Sequence, residues 1–165
     1  MENFYFIGVD VSKKKLDFCV MFEGKVLHEE ETANHQGAIM SLLYQLEEDY
    51  GISNSQMLVC AEHTGQYTFP LACACKAVEC KLWLENPAEI KYSSGVQRGK
   101  NDKVDAKRIA IYANRFQDKV QYYERKVAEG KNKMSVINAL RAKIVARMFA
   151  VIKRNEKSLL SRKNG

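Results

Sequence analysis

The sequence predicts an α/β fold in which a five-stranded mixed sheet carries flanking helices and a basic helical tail follows. Two observations predict the sheet: short apolar runs alternate with segments of helical periodicity, and their order is three strands, one helix and two strand–helix units. A third observation, the concentration of positive charge after residue 124, predicts the tail. The 165 residues, 46% hydrophobic, suffice for one packed core and an appendage.

The strands are predicted from apolar runs and alternation. Residues 4–11 are almost all apolar or aromatic, which is typical of a strand buried on both faces. Residues 16–22 and 25–32, separated by Glu23-Gly24, complete a three-strand meander, and the last of them alternates like a half-buried edge strand. Residues 57–61 and 81–85 are the fourth and fifth strands. Helical crossovers should make both parallel to the first.

The helices are predicted from 3.6-residue periodicity. Apolar residues from Ile39 to Tyr50 indicate an amphipathic helix, with Asn34 near its start and Gly51 after its end. Residues 65–78 indicate a second helix, provided that Pro70 lies in its first turn. Residues 102–116 and 134–153 indicate two more, and 93–101 a polar loop. This order is that of an RNase H-like (RuvC-type) fold over residues 1–118, with 119–165 as the basic helical tail.

Two carboxylates end apolar strands. Asp10 lies in the first strand, and Glu62 directly follows the fourth. Burying an unpaired charge is costly, and the ends of parallel strands are adjacent, so a cation is expected between these two acids. Taken singly, either residue could instead cap a helix or pair with a lysine such as Lys13.

Asp102 and Asp105 stand three residues apart at the start of a predicted helix. Their side chains therefore share one face, which continues into the apolar stripe at Ala106 and Ile109. One such acid would simply complement the helix dipole, whereas two on an inward face suggest a further role. With Asp10 and Glu62 they form a set of oxygen ligands suited to Mg²⁺ or Mn²⁺, and a pair of such ions can cleave a phosphodiester.

The charge distribution predicts a polyanion-binding segment. Residues 125–165 hold 12 Lys and Arg residues against Glu129 and Glu156, a formal charge of +10, so the total of +6 leaves −4 on residues 1–124. Nucleic acid is the expected partner, and a solvated basic helix is the alternative. The candidate contacts are Lys13, Arg98, Lys100, Lys103, Arg141, Lys143, Arg147, Lys153 and Arg154.

The remaining composition predicts a cytoplasmic protein with no membrane contact. The five cysteines lie inside apolar runs without paired spacing, which favours buried, reduced thiols. The chain opens on Glu2 and Asn3 without a basic leader, and no apolar run approaches the roughly 18 residues of a membrane span.

Three motifs resemble those of the DEDD transposases of the insertion sequence 110 family. They are residues 8–13 (GVDVSK), 62–67 (EHTGQY) and 100–106 (KNDKVDA), within a resemblance that covers about residues 4–116. The resemblance implies a RuvC-like catalytic domain in which Asp10, Glu62, Asp102 and Asp105 bind Mg or Mn. It also implies DNA transposition and recombination, homo-oligomers of the full-length protein, and an element-encoded bridge RNA that acts as guide.

The resemblance also implies that a segment is missing. Residues 122–154 resemble the far C-terminal part of the same proteins, and about five residues near 118–122 stand where family members have a coiled coil and the start of a second domain. That missing part would contain the serine nucleophile, and Ser135 does not lie in its motif. We therefore expect an internally deleted or fragmentary copy.

Two other functions remain open. A non-catalytic DNA- or RNA-binding remnant would keep the fold and the basic tail without recombination, and only metal-dependent cleavage would separate it from an active enzyme. An actin-like or sugar-kinase ATPase is a remote alternative, because residues 8–10 and the turn after them resemble a first phosphate loop. The second glycine-rich loop and the adenosine motif of that class are missing from the sequence.

Overall fold

A computed structural model of the chain describes residues 4–93, 102–140 and 142–143. It divides the chain into two units, Met1–Arg115 and Phe116–Gly165. The candidate carboxylates all belong to the first unit. In the described residues, no helix is both long and apolar enough to cross a lipid bilayer.

The sheet of the first unit has the predicted strands in the order β3-β2-β1-β4-β5. The middle strand β1 pairs antiparallel with β2 and parallel with β4; β3 and β5 form the edges, antiparallel to β2 and parallel to β4. This topology, a three-strand meander extended by two parallel strands, is that of the RNase H-like fold, as predicted. The strands are β1 (Tyr5–Val11), β2 (Lys15–Phe22), β3 (Lys25–Ala33), β4 (Met57–Glu62) and β5 (Lys81–Glu85).

Four helices belong to this unit: α1 (Gln36–Tyr50), α2 (Phe69–Val78), α3 (Pro87–Ser93) and α4 (Asp102–Arg115). Residues 65–68, predicted as helix, form a separate 3₁₀ turn that ends just before α2, which leaves Pro70 in the first turn of α2. The sequence did not indicate α3, which has seven residues and buries only Ile90.

The second unit contains α5 (Gln117–Ala128), which was not predicted and buries none of its residues. Residues 133–140 and 142–143 are helical, in agreement with the start of the predicted last helix. The rest of that helix, to residue 153, lies outside the described residues.

The start of α1 and the exposure of β3 differ from what the sequence suggested. His35, not Asn34, caps α1, because its Nδ1 accepts a hydrogen bond from the Gly37 N–H at 3.2 Å. The Asn34 amide instead donates to the carbonyls of Ser12 and Tyr67, at 2.8 and 2.9 Å, and thereby ties together the loops that follow β1 and β4. The edge strand β3 is mostly exposed rather than half-buried, since α1 and α2 pack over the neighbouring strands.

The two faces of the sheet are covered differently. Helices α1 and α2 bury one face in a core that includes Ile7, Val9 and Leu43. Helix α4 covers the opposite face with the predicted stripe of Ala106, Ile109, Ala110 and Ala113, all buried. The five cysteines are free thiols, of which Cys19, Cys60 and Cys75 are buried and Cys73 and Cys80 partly buried.

Helix α4 lies almost against the backbone of β1 at Gly8. A Cβ atom added there would lie closer than 3.0 Å to backbone atoms of Ala106 and Ala110. Only glycine therefore allows this approach, because neither backbone can move aside without shifting the helix.

We expect Gly8→Ala to lower the free energy of unfolding by about 1–3 kcal/mol, the usual cost of overpacking a core. Denaturant titration monitored by circular dichroism measures this change. Gly37→Ala is the matched control: a Cβ at this helical position meets only the His35 ring at 3.4 Å, so stability should stay the same or rise by up to about 1 kcal/mol. Equal effects of the two substitutions would contradict the close approach of α4.

Candidate active site

The strand register places acidic residues side by side across the whole sheet. Asp10 is opposite Asp17, Asp17 is opposite Glu31, and Glu62 is opposite Glu85. Val9 is the partner of Ala61, so the next residues of β1 and β4, Asp10 and Glu62, are neighbours. Residues opposite each other in a sheet point to the same face. In strand order this acidic row is Glu31, Asp17, Asp10, Glu62 and Glu85.

Helix α4 brings further functional side chains to the same face. Asp105, Arg108 and Tyr112 follow each other at i, i+3 and i+7, which places them on one side of the helix. Arg108 pairs with Asp105, its Nη1 lying 2.9 Å from Oδ1. The helix thus adds one carboxylate, one cation and one phenol to the acidic row.

The members of the row on the β2–β3 side are both paired with one lysine. Asp17 is buried, with 5% of its surface exposed. The Lys15 ammonium lies 3.3 Å from Asp17 Oδ2 and 2.8 Å from Glu31 Oε2, so one cation serves both carboxylates. Asp17 and Glu31 therefore have a cationic partner within the fold and need no metal ion.

Glu85, at the other end of the row, is held by hydrogen bonds. The Tyr112 hydroxyl donates to its Oε2 at 2.7 Å, and the Asn86 N–H donates to its Oε1 at 2.9 Å. Burial of Tyr112 and its bond to the carboxylate of Glu85 raise the pKa of this phenol, which therefore stays a donor at neutral pH. Glu85 thus fastens α4 to the edge strand β5.

At the centre of the row, the neighbouring acids act on Glu62. Burial raises the pKa of Glu62, and the charges of Asp10 and Asp105 raise it further, whereas Arg108 lowers it. In the described part of the chain, Glu62 has neither a hydrogen bond nor an ion pair through its side chain. We call Asp10, Glu62 and Asp105 the central carboxylates. Their mutual repulsion favours binding of a cation, and their oxygen donors suit a hard divalent ion.

The described side chains do not form a finished ligand cage. No three His, Cys, Asp or Glu residues of the described ranges already stand at ligand spacing. Asp102, the fourth predicted ligand, begins α4, and its side chain lies outside the described part. The donor set fits a divalent metal in chemistry and charge, while the assembly of all four carboxylates stays a prediction.

Of the side chains predicted to contact nucleic acid, those of Lys13 and Lys143 belong to the described part of the chain. Lys13 is exposed in the turn between β1 and β2. Lys143 is exposed in the second unit, where its ammonium lies 4.0 Å from the centre of the Tyr122 ring. Lys103 lies in α4, but its side chain is outside the description, as are the residues Arg98, Lys100, Arg141, Arg147, Lys153 and Arg154.

Sequence reasoning missed four charged residues of this region, Asp17, Glu31, Glu85 and Arg108, and the phenol of Tyr112. Two of them carried a usable signal. Asp17 interrupts the apolar run of the second strand as Asp10 interrupts the first, and Glu85 ends the fifth strand as Glu62 ends the fourth. Glu31 and Arg108 carry no such signal, because their roles depend on strand register and on the direction of α4.

We expect Glu62→Gln to raise the melting temperature of the metal-free chain at pH 7. The raised pKa of Glu62 means that its ionised form destabilises the fold, and glutamine removes that charge. The difference should shrink as the pH falls through the raised pKa towards the ordinary value of 4.5, because the wild-type carboxyl then becomes neutral as well. Thermal unfolding in EDTA at several pH values measures it.

Glu31→Gln is the control for this experiment. It removes the same charge from the same row, but Glu31 is paired with Lys15, so its loss should leave stability unchanged or slightly lower. A melting temperature that falls at pH 7 in Glu62→Gln would contradict the repulsion among the central carboxylates.

Comparison with solved structures finds several chains that are similar to this one, at low sequence identity. T. thermophilus RuvC in complex with a Holliday junction substrate is similar with a TM-score of 0.49 and 12% identity, over 68% of this chain and 96% of that chain. A Thermus thermophilus RuvC structure has values of 0.47 and 12%, over 63% and 88%. A Bacteroides thetaiotaomicron protein with an actin-like ATPase fold and unknown function has 0.45 and 14%, over 66% and 38%.

No curated protein matches the chain in a sequence search. A family model does: the model of the insertion sequence 110 DEDD family, described as a transposase, matches residues 7–162. This match covers the three motifs and most of residues 125–165, which we call the basic segment. It confirms the family that the motifs resemble. The chain belongs to the DEDD transposase family of insertion sequence 110.

Proposed function

We propose that this chain carries the metal-dependent nuclease centre of a DNA transposase, with Asp10, Glu62, Asp102 and Asp105 as its catalytic, metal-binding carboxylates. The observation that carries the proposal is the adjacency of Asp10 and Glu62 in the parallel β1–β4 pair, with Asp105 close enough to raise the pKa of Glu62. Family membership supports a nuclease or recombinase activity in general. The metal, Mg²⁺ or Mn²⁺, follows from the all-oxygen donor set.

The three central carboxylates each have a defined part in this mechanism. Asp10 and Glu62 offer oxygens from strands that are paired on both sides, so their positions are rigid. Asp105 approaches from α4, whose distance from the sheet is fixed at Gly8. Bound divalent metal supplies activation of the attacking oxygen and charge stabilisation at the leaving oxygen of a phosphodiester.

DNA is the proposed substrate, and a guide RNA the proposed second partner. The +10 charge of residues 125–165 supports a nucleic-acid partner of either kind, and the RuvC relative was solved with a Holliday junction. Homo-oligomers and cytoplasmic location are proposed on family grounds.

We also propose that the internal gap near residues 118–122 leaves the chain without its serine nucleophile, so that it nicks DNA slowly but does not complete recombination alone.

A non-catalytic nucleic-acid-binding remnant is the second candidate. Two observations favour it: Asp105 is paired with Arg108, and no three described acids, histidines or cysteines are already placed as ligands. In that case the fold and the basic segment would bind nucleic acid, and the central carboxylates would have no ion to hold.

We expect Mg²⁺-dependent nicking of DNA by the full chain, and a fall of at least about 100-fold in Asp10→Asn and Glu62→Gln. Loss of mere supporting groups around a metal costs about 10–100-fold, so loss of a ligand should cost more. Nicking of supercoiled plasmid and of element-end DNA, with Mg²⁺ or EDTA, measures the rate.

Glu31→Gln is again the control, since it changes the same row beside a lysine and should cleave like wild type. Cleavage that survives Asp10→Asn would remove the central carboxylates from the mechanism. DNA binding by the wild type without any Mg²⁺-dependent cleavage would establish the remnant instead.

We expect the basic segment to dominate the salt dependence of DNA binding. Each phosphate contact contributes a slope of about −0.9 to log K against log salt concentration, so replacing the exposed Lys133 and Lys143 by Gln should flatten the slope by up to about 1.8. Fluorescence anisotropy at several salt concentrations measures it. Lys25→Gln with Lys76→Gln, two exposed lysines of the first unit, is the matched control and should change little. The opposite pattern would move the binding surface to the first unit.

A further inference from the structure

Arg108 is the cation whose charge acts on Glu62, at the centre of the acidic row. Its Nη1 lies 2.9 Å from Asp105 Oδ1, and its side chain is 24% exposed. Its Nε is fully buried and has no hydrogen-bond partner in the described ranges. The guanidinium is therefore only partly used: one nitrogen binds a carboxylate, and a buried donor is left over.

An unused buried donor is a cost that a folded protein ordinarily avoids. Arginine presents five N–H groups in a planar fork, which matches the two oxygens of a carboxylate or a phosphate. The ion pair with Asp105 does not use this fork fully. Nor is the pair strongly stabilising, because it joins residues three apart on a partly exposed helix face.

The central carboxylates impose a competition. A divalent cation that binds beside Asp10 and Glu62 must also be attracted to Asp105, whose Oδ1 already holds the Arg108 guanidinium. Two cations cannot both approach one carboxylate closely without repelling each other. The ion pair between Asp105 and Arg108 should therefore weaken when metal binds, and the guanidinium must then find another anion.

We propose that Arg108 is a phosphate-binding residue of this site, held on Asp105 in the metal-free chain and transferred to a nucleic-acid phosphate when a divalent cation occupies the central carboxylates. The inference rests on the proposed function of the site. It adds to the four carboxylates a fifth functional residue, one that recognises the substrate anion. It also makes metal binding and phosphate binding mutually favourable. Bound metal releases Arg108 from Asp105 and reduces the negative charge that repels phosphate. Bound phosphate keeps Arg108 away from Asp105, which is then available to the metal.

Metal binding is the first test. Mn²⁺ titration of the full chain, followed by calorimetry or by electron paramagnetic resonance, gives the dissociation constant. Arg108→Gln removes the competing cation and should tighten Mn²⁺ binding by about two- to fivefold, which corresponds to the strength of a partly exposed ion pair. Arg108→Lys keeps the charge and should bind Mn²⁺ like wild type. A purely structural arginine predicts the opposite for Arg108→Gln, namely weaker binding through a loosened site.

DNA affinity is the second test, and its dependence on metal is the decisive readout. Fluorescence anisotropy of a labelled DNA duplex, in Ca²⁺ and in EDTA, would give the dissociation constant in each condition. Arg108→Gln should weaken binding about tenfold in Ca²⁺, the effect of losing one bidentate contact, and hardly at all in EDTA, where Arg108 is engaged with Asp105. Arg108→Lys should also lose affinity in Ca²⁺, because an ammonium lacks the fork.

Lys107→Gln is the matched control. Lys107 is the neighbouring residue on α4, exposed and charged, but its charge acts on Cys19 of β2 rather than on Glu62. Removing it should change Mn²⁺ affinity less than twofold and DNA affinity equally in Ca²⁺ and EDTA. The control therefore separates a specific role of Arg108 from the general loss of one positive charge.

The outcomes distinguish the inference from the function on which it rests. If wild type does not bind Mn²⁺, the proposed function is wrong and the inference falls with it. If wild type binds Mn²⁺ but Arg108→Gln binds it no more tightly, or loses DNA affinity equally in EDTA, the inference alone is wrong. Should Arg108→Gln fail to fold, Arg108→Lys decides: wild-type DNA affinity in Ca²⁺ would overturn the phosphate contact.

Discussion

The contact between α4 and β1 at Gly8 is the constraint on which the site depends. The helix lies so close that a single methyl group would collide with the backbone at Ala106 and Ala110. This distance determines how far the side chains of α4 reach over the sheet. Asp105 can act on Glu62, and Tyr112 can bind Glu85, only because the helix axis lies this near. A bulkier residue at position 8 would lift the carboxylate, the arginine and the phenol together.

The second constraint is electrostatic. Five carboxylates in one row, with a sixth from the helix above, would destabilise any fold if all were left ionised and unpaired. At the edges of the sheet the carboxylates have partners: Lys15 pairs with both acids on one side, and Tyr112 and the Asn86 N–H donate hydrogen bonds to Glu85 on the other. Among the described residues, repulsion between acids is seen at Glu62, whose pKa is raised by burial and by the charges of Asp10 and Asp105. A cation bound at the centre of the row would relieve this repulsion.

The sequence predicted the fold well because its signals are local. The apolar runs of β1 and β4, the periodicity of α1 and the alanine stripe of α4 each determine one element, and right-handed crossovers leave few ways to assemble them. Asp10 and Glu62 were found because a carboxylate in an apolar run is conspicuous. α3 was missed because a short helix with one buried residue leaves no stripe to detect. α5 carries Val120, Tyr123 and Val127 at helical spacing and could have been found.

The acidic row itself could not be predicted, because it is a property of register. A shift of one residue between β1 and β2 would separate Asp10 from Asp17 and turn one of them to the other face. The turn that fixes this register is built on Ser12, whose hydroxyl and backbone both bond to Lys15. The cap at His35 was missed for a similar reason: Asn34 has the better side chain for a cap, but its amide is engaged by the loops after β1 and β4.

A centre of negative potential attracts metal ions but repels phosphates, including those of the proposed DNA substrate. Residues 1–124 carry −4, so this part of the chain gains little from a polyanion until cations reach the central carboxylates. The +10 of residues 125–165 supplies long-range attraction but acts on any phosphate. The negative potential at Glu62 must therefore be lowered locally; Arg108 already acts against it, and a bound divalent ion would do so more strongly. Because affinity for metal and for phosphate is then linked through the same carboxylates, each ligand must raise the affinity for the other by the same factor.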